Sequence, residues 1–185
     1  MISVGDKLEP RTVTNLAGST VPIPDPEHRL HLQFRRHAGC PICNTHLRSV
    51  TQRLDEITAA GIREVVFFHS SADALREFQE ELPYDVIPDP ERVVYRDFGV
   101  EKSWRAILTP KVLASVGSGF VQQRGKGTLG TLTESHLGMP ADFLIDADGT
   151  VLAAKYGEHA ADQWSVDELL NVAGSTPGGT GLPTR

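Results

Sequence analysis

The stretch Phe34-Arg35-Arg36-His37-Ala38-Gly39-Cys40-Pro41-Ile42-Cys43-Asn44 holds the only two cysteines of this 185-residue chain. They stand three positions apart, between an alternating run and a helical pattern. Pro41 suits the first position of a helix, where a backbone N–H would have no intrahelical acceptor. Cys40 then lies at the helix N-terminus, against orphan N–H groups and the positive end of the macrodipole. Arg35, Arg36 and His37 add positive charge nearby. Thiolate, not thiol, attacks disulfides and peroxides, so these surroundings mark Cys40 as the acidic, attacking cysteine. Cys43, one turn further on, faces the same way and is expected to be the less exposed. An attacking thiol beside a resolving one is what thiol–disulfide exchange requires.

Outward from this stretch, Arg29-Leu30-His31-Leu32-Gln33-Phe34 alternates polar and apolar and predicts a strand that delivers the cysteine loop. Residues 1–26 are broken by Asn15, Gly18 and three prolines and read as a hairpin followed by a loop. Downstream, Cys43, Leu47, Val50, Leu54 and Ile57 predict an amphipathic helix that ends near Gly61. Residues 64–69 form the nearly continuous apolar run of a buried parallel strand. Ser70 or Ser71 caps a helix over 72–81, which Pro83 stops. A brief strand over 84–87 and a short helix over 90–98 follow.

Residues 102–138 read as an irregular insertion, helical over 104–116 and rich in Gly, Ser and Thr beyond. Two strand-like runs around Asp148-Gly149 then predict a hairpin. Ser165 starts a last helix, 166–173, ended by Gly174. The expectation is one domain over 1–174 with a mobile tail at 175–185. Alternating strands and helices imply an α/β fold, a mixed central sheet with helices on both faces.

Net charge is −6, which argues against nucleic acid as the main partner. No apolar run approaches a membrane span, and the N-terminus lacks an apolar core of signal-peptide length. The chain is therefore expected in the cytoplasm, away from membranes. In a reducing compartment a lone cysteine pair is more readily catalytic or metal-binding than a structural staple. His37, Cys40, Cys43 and His46 recur at intervals of three, which raises a zinc reading. It is set aside: Cys40-Pro41 at a helix start constrains the geometry, and zinc modules draw ligands from two separated segments. No metal or other cofactor is expected. His46 reads as a surface helix residue, and His37 as either solvated loop or an electrostatic neighbour of Cys40.

Gly39-Cys40-Pro41-Ile42-Cys43, Gly138-Met139-Pro140 and Phe143-Leu144-Ile145-Asp146-Ala147-Asp148-Gly149 together resemble the thioredoxin-like superfamily, in its redoxin (AhpC/TSA, peroxiredoxin-like) branch. The resemblance covers about residues 4–174 in element order. It implies a three-layer thioredoxin-like fold, with Pro140 as the family's cis-proline packed against both cysteines.

The chain departs from both groups it resembles. With Cys43 aligned to the peroxidatic cysteine of peroxiredoxins, Cys40 replaces their Thr, Arg36 roughly their Pro, and Pro140 their Arg. The thioredoxin Trp before the first cysteine is Gly39, and the buried acid six residues before that cysteine is Phe34. The site residues expected are thus Cys40 and Cys43, supported by Pro140, Pro41, Arg36 and His37.

The expected function is that of a thiol-disulfide oxidoreductase, a peroxiredoxin-like antioxidant protein. Its substrate would be a protein or small-molecule disulfide or a hydroperoxide, with an external thiol as reductant and a homodimer as one possible state. The alternatives are a thiol peroxidase attacking through Cys43 or Cys40, and a non-catalytic redox-sensing interaction module.

Overall fold

The strand expected ahead of the cysteines is the centre of the fold. A computed structural model describes residues 1–79, 81–100, 139–159 and 161–176. In chain order it contains β1 (Arg11–Thr14), β2 (Thr20–Ile23), β3 (Arg29–Arg35), α1 (Pro41–Gln52), α2 (Leu54–Ala59) and β4 (Ile62–Phe68). These are followed by α3 (Ala72–Phe78), β5 (Asp85–Pro88), α4 (Val93–Asp97), β6 (Ala141–Ile145), β7 (Val151–Tyr156) and α5 (Val166–Ser175). The insertion expected over 102–138 and the tail beyond Thr176 lie outside the described residues. β1 and β2 form a separate antiparallel pair. The other strands make one five-stranded sheet in the order β5-β4-β3-β6-β7.

In that sheet β3 runs parallel to β4, with Phe34 opposite Phe67, and antiparallel to β6, with Phe34 opposite Ala141. The expected mixed α/β sheet is therefore present. Alternation along the strands sorts side chains onto two faces. One face carries Leu30, Leu32, Phe34, Val65, Phe67, Phe143 and Ile145, covered by Val21 and Ile23 of β2 and by Val94, Tyr95 and Phe98. Phe34 stacks on Phe67 at a centroid distance of 4.9 Å and meets Phe143 edge-on at 5.6 Å. Each such buried side chain contributes about 1.5–3 kcal/mol by leaving water.

The other face has an apolar cluster on each side: Ile57, Ile62, Leu144, Trp164 and Leu169 on one, Leu47, Val66, Phe68 and Leu75 on the other. Between them it is polar. His31, Gln33 and Arg35 of β3, Glu64 of β4 and Asp142 of β6 all lie within 1% of complete burial. Helices therefore cover both faces, with α1 above the polar strip.

Three boundaries differ from expectation. The single helix expected to run to Gly61 is two, because Arg53 leaves helical geometry at φ −117°, ψ 22°. There its guanidinium reaches Glu56 at 2.7 Å and Asp167 of α5 at 2.6 Å. α3 stops at Phe78, where Gln79 turns extended, ahead of the proline expected to end it. Gly174 does not terminate α5, which runs one residue past it. Ser165, by contrast, forms the expected cap, as a capping box with Glu168.

Candidate active site

β3 ends at Arg35, and the turn that follows is tied down on several sides. The Ala38 N–H donates to Ser70 Oγ at 2.9 Å, and the Tyr95 hydroxyl reaches the carbonyls of both Arg35 and Phe67. Gly39 sits at φ +70°, and a Cβ there would lie 3.1 Å from the Phe78 carbonyl oxygen. Both facts call for glycine at this position. Cys40 is then the N-cap of α1, extended at φ −61°, ψ 116°, with Pro41 following it and no acidic residue in the first turn. Its carbonyl accepts the first intrahelical bond, from Asn44 N–H at 2.9 Å.

Cys43 Sγ donates to Cys40 Sγ at 2.9 Å. Neither cysteine is in a disulfide and each is only 1% exposed, so Cys43 is not the less exposed of the two. The Cys40 thiol is pulled down to about 5. The hydrogen bond from Cys43 does most of this against the opposing effect of burial, helped by the Cys43 backbone N–H and the charges of Arg36 and His37. Cys43 is pushed well up by the proton it shares with Cys40, by burial and by the Cys40 charge. The Arg36 backbone N–H and the Arg35 charge pull Cys43 the other way. These influences favour the thiolate on Cys40 and the proton on Cys43.

Beneath α1 lies a group of charged residues that the sequence reading did not single out. Arg35 Nη2 lies 2.6 Å from Asp142 Oδ1, 2.6 Å from Gln33 Oε1 and 3.2 Å from His46 Nε2. His31 bridges the two acids, with Nδ1 2.8 Å from Glu64 Oε2 and Nε2 3.2 Å from Asp142 Oδ1. The Trp164 N–H caps the other Asp142 oxygen at 3.1 Å. Burial alone would lower the His31 pKa, but Glu64 and Asp142 together raise it to about 9. Burial likewise disfavours ionised Asp142, yet Arg35 and His31 hold it well below the usual carboxylate range. Two cations and two anions therefore balance inside the fold, which is what makes their burial tolerable.

His46 belongs to this group and is not the surface residue its helix position implied. Its burial, and then the Arg35 charge, hold its pKa down to about 3, so the neutral ring accepts from Arg35. His37 is 8% exposed, its Nδ1 3.0 Å from the Ala38 carbonyl and its ring 6.5 Å from that of His69. Arg36 is half-buried and Pro41 exposed at the helix start. Pro140 is buried just ahead of β6, one register step beyond the Phe34–Ala141 pair, with its carbonyl accepting from Gly157 N–H at 2.9 Å. The expected cis bond is absent there: among the described residues the cis peptide is Ile23–Pro24, and Met139–Pro140 is trans.

A signal for the charged group was present in Arg29, His31, Gln33 and Arg35, the polar half of the alternation. In a strand at the centre of a sheet covered on both faces, that half cannot face water.

Among the described residues no helix is long and apolar enough to cross a membrane. Residues 49–159, more than half of the chain, match the family model described as AhpC/TSA antioxidant enzyme, so the cysteine pair lies just upstream of the matched segment. The chain is 24% identical over 177 residues to the chloroplastic thioredoxin-like protein AAED1 of Arabidopsis thaliana, covering 90% of this chain and 71% of that one.

Solved structures with the same fold include the peroxidoxin BcpB of Mycobacterium tuberculosis, with TM-score 0.62 and 17% identity over 88% of this chain and 90% of that one. A second is a peroxiredoxin 6 variant of Arenicola marina, with TM-score 0.63 and 16% identity over 93% of this chain and 72% of that one. A third, described as the thiol:disulfide interchange protein DsbE of Chlorobium tepidum, has TM-score 0.59 and 21% identity over 93% and 99%. The chain is a thioredoxin-like oxidoreductase that belongs to the AhpC/TSA antioxidant enzyme family.

Proposed function

We propose that the protein is a dithiol oxidoreductase in which Cys40 attacks and Cys43 resolves. The observation that carries this is the 2.9 Å bond from Cys43 Sγ to Cys40 Sγ at the N-cap of α1. With a pKa near 5, Cys40 is almost wholly thiolate at neutral pH, roughly thirtyfold more than a free cysteine. A thiolate this acidic is also a weaker nucleophile, and that loss is of similar size. The net advantage therefore lies in a stabilised reduced form and a resolving thiol already in contact. Because Cys40 is 1% exposed, attack requires local movement that uncovers it. Pro41, Arg36, His37 and Pro140 are supporting residues. Pro41 starts the helix, Arg36 and His37 favour the thiolate, and Pro140 fixes the strand end beside the loop.

The substrate in this reading is a protein or small-molecule disulfide, the reductant an external thiol, and the working unit the domain over 1–174. A thiol-reducing compartment such as the cytoplasm suits it. The test is a trapping experiment. Cys43→Ser should accumulate a mixed disulfide through Cys40, and Cys40→Ser should lose disulfide reduction.

The family supports a second reading, reduction of hydroperoxides. Its weakness is the donor set: Cys40 and Pro140 stand where peroxiredoxins carry Thr and Arg. Losing one well-placed transition-state donor costs about 10²–10³ in rate. Turnover of peroxide by Cys40→Ser, with a sulfenic acid at Cys43, would reverse the assignment and favour the peroxidase.

A further inference from the structure

We propose that a second site, a cleft at the same sheet edge as the cysteine turn, binds a small organic acid, its apolar body against β5 and its carboxylate on Arg76. The cleft measures about 460 Å³ and lies between residues 13–18, the first turns of α3 and the stretch from β5 into α4. That volume falls within the range of about 300–1,000 Å³ usual for small-molecule sites. The proposal does not depend on which cysteine attacks.

The placement follows from the topology. β3, β4 and β5 run parallel, so their carboxyl ends lie along one edge of the sheet. β3 ends in the turn that carries Cys40. β4 leads through Ser70, which holds the Ala38 N–H, into the Ser71 cap of α3. β5 ends at Pro88, and Asp89 beyond it accepts the first N–H groups of α4. Crevices outside the carboxyl ends of strands are where open α/β sheets bind ligands. The β1–β2 hairpin closes the far side, fastened to β5 by the Leu16 N–H, which donates to the Val86 carbonyl at 2.8 Å.

The walls decide the chemistry of the ligand. Val13, Leu16, Ala72, Ile87, Pro88 and Val94 make them largely apolar. Asp89, the one acid among the described wall residues, is 7% exposed and accepts from the Val93, Val94 and Tyr95 N–H groups. Asn15 is also committed, donating to Asp85 at 2.7 Å and accepting from the Ser19 N–H at 2.8 Å. Arg76 is different. Of its five N–H donors, one reaches Asp73 at 3.1 Å and one the Leu16 carbonyl at 3.4 Å, so three remain. The Asp73 side chain is 98% exposed, and so open an ion pair is held weakly. A carboxylate entering the cleft displaces Asp73 readily and can meet the guanidinium through two parallel hydrogen bonds.

The test titrates sodium octanoate into the isotope-labelled full chain, followed by amide NMR, with 1-octanol as the uncharged control. Octanoate should give saturable shifts clustered on residues 13–18, 72–76 and 87–94. Octanol should bind about tenfold more weakly or worse, because it lacks the charge that Arg76 pairs with. Arg76→Gln should weaken octanoate by about tenfold and leave octanol unchanged, and Arg76→Lys should recover part of that loss. Asp73→Asn, which removes the competing carboxylate, should tighten octanoate binding. Both positions are exposed, so these variants keep the fold. Ala72→Phe, which fills the cleft, should abolish the shifts.

Octanol binding as tightly as octanoate, indifference to Arg76→Gln, shifts centred elsewhere, or shifts that never saturate would each overturn the proposal. Disulfide reduction plays no part in the readout, so such a failure leaves the assignment of Cys40 and Cys43 standing.

Discussion

Arg35 Nη2 and Asp142 Oδ1 meet at 2.6 Å across the β3–β6 pair, with neither side chain reached by solvent. Breaking one half of such a pair leaves a buried charge uncompensated, at a cost of about 3–5 kcal/mol. Asp142→Asn should therefore destabilise the fold by an amount in that range in urea unfolding. Arg35→Met/Asp142→Asn should cost clearly less than the sum of the two single variants. An additive cycle would show that the pair does not act as a unit.

The same network predicts a pH dependence. His31 has a folded pKa of about 9, above its unfolded value of about 6.5. Its contribution is fully present below the unfolded value and is lost as pH rises through 9. Asp142 is depressed, so its contribution is present above the ordinary carboxylate value and lost in acid. Cys40 has the opposite slope to His31: its depressed pKa adds stability as pH rises from about 5 toward its unfolded value. The comparison that isolates His31 is wild type minus His31→Gln. That difference should shrink between pH 6.5 and 9.5, and a constant difference would refute the assignment.

Gly39 offers a local test. At φ +70° an L side chain is strained by about 1–2 kcal/mol, and here it would also press on the Phe78 carbonyl. Gly39→Ala should lower stability by about that much. It should also slow Cys40 alkylation, because the turn that seats Cys40 at the N-cap cannot keep its shape. Unchanged stability and reactivity would mean that the turn accommodates the methyl.

A thiolate stabilised in the reduced form makes the corresponding disulfide oxidising. Thioredoxin lies at about −270 mV, and DsbA, with a similarly acidic cysteine, at about −120 mV. The Cys40–Cys43 couple should equilibrate with a glutathione buffer at a potential less negative than about −270 mV. A value at or below that figure would contradict the thiolate placement.

The sheet was legible because its strands carry a period of two and its connections end on ordinary signals. Ser71 and Ser165 cap the helices they were expected to cap, and the Asp148-Gly149 hairpin joins β6 to β7. Cys40 and Pro41 were legible for the same reason, since helix-start chemistry is local. The charged group was not, because it is assembled from three strands and a helix. Glu64 reads in sequence as a polar residue beside Arg63 at the start of an apolar run and Asp142 as one polar residue within such a run, and only pairing with β3 brings them to His31 and Arg35. The acid missing at Phe34 had the same cause. Phe34 faces the aromatic side of the sheet, and the acids of the opposite face come from β4 and β6. Register across strands is a long-range fact that no single stretch of sequence states.

Which sulfur carries the negative charge decides whether Cys40 or Cys43 attacks. The direct measurement is alkylation rate against pH on the reduced wild-type chain, with the modified cysteine located by mass spectrometry. Cys40 should react first, with a midpoint near 5. Cys43→Ala should raise that midpoint, because the largest favourable contribution is the bond from Cys43, while keeping it below about 8.5. Preferential modification of Cys43, or a Cys40 midpoint at or above 8.5, would contradict the account.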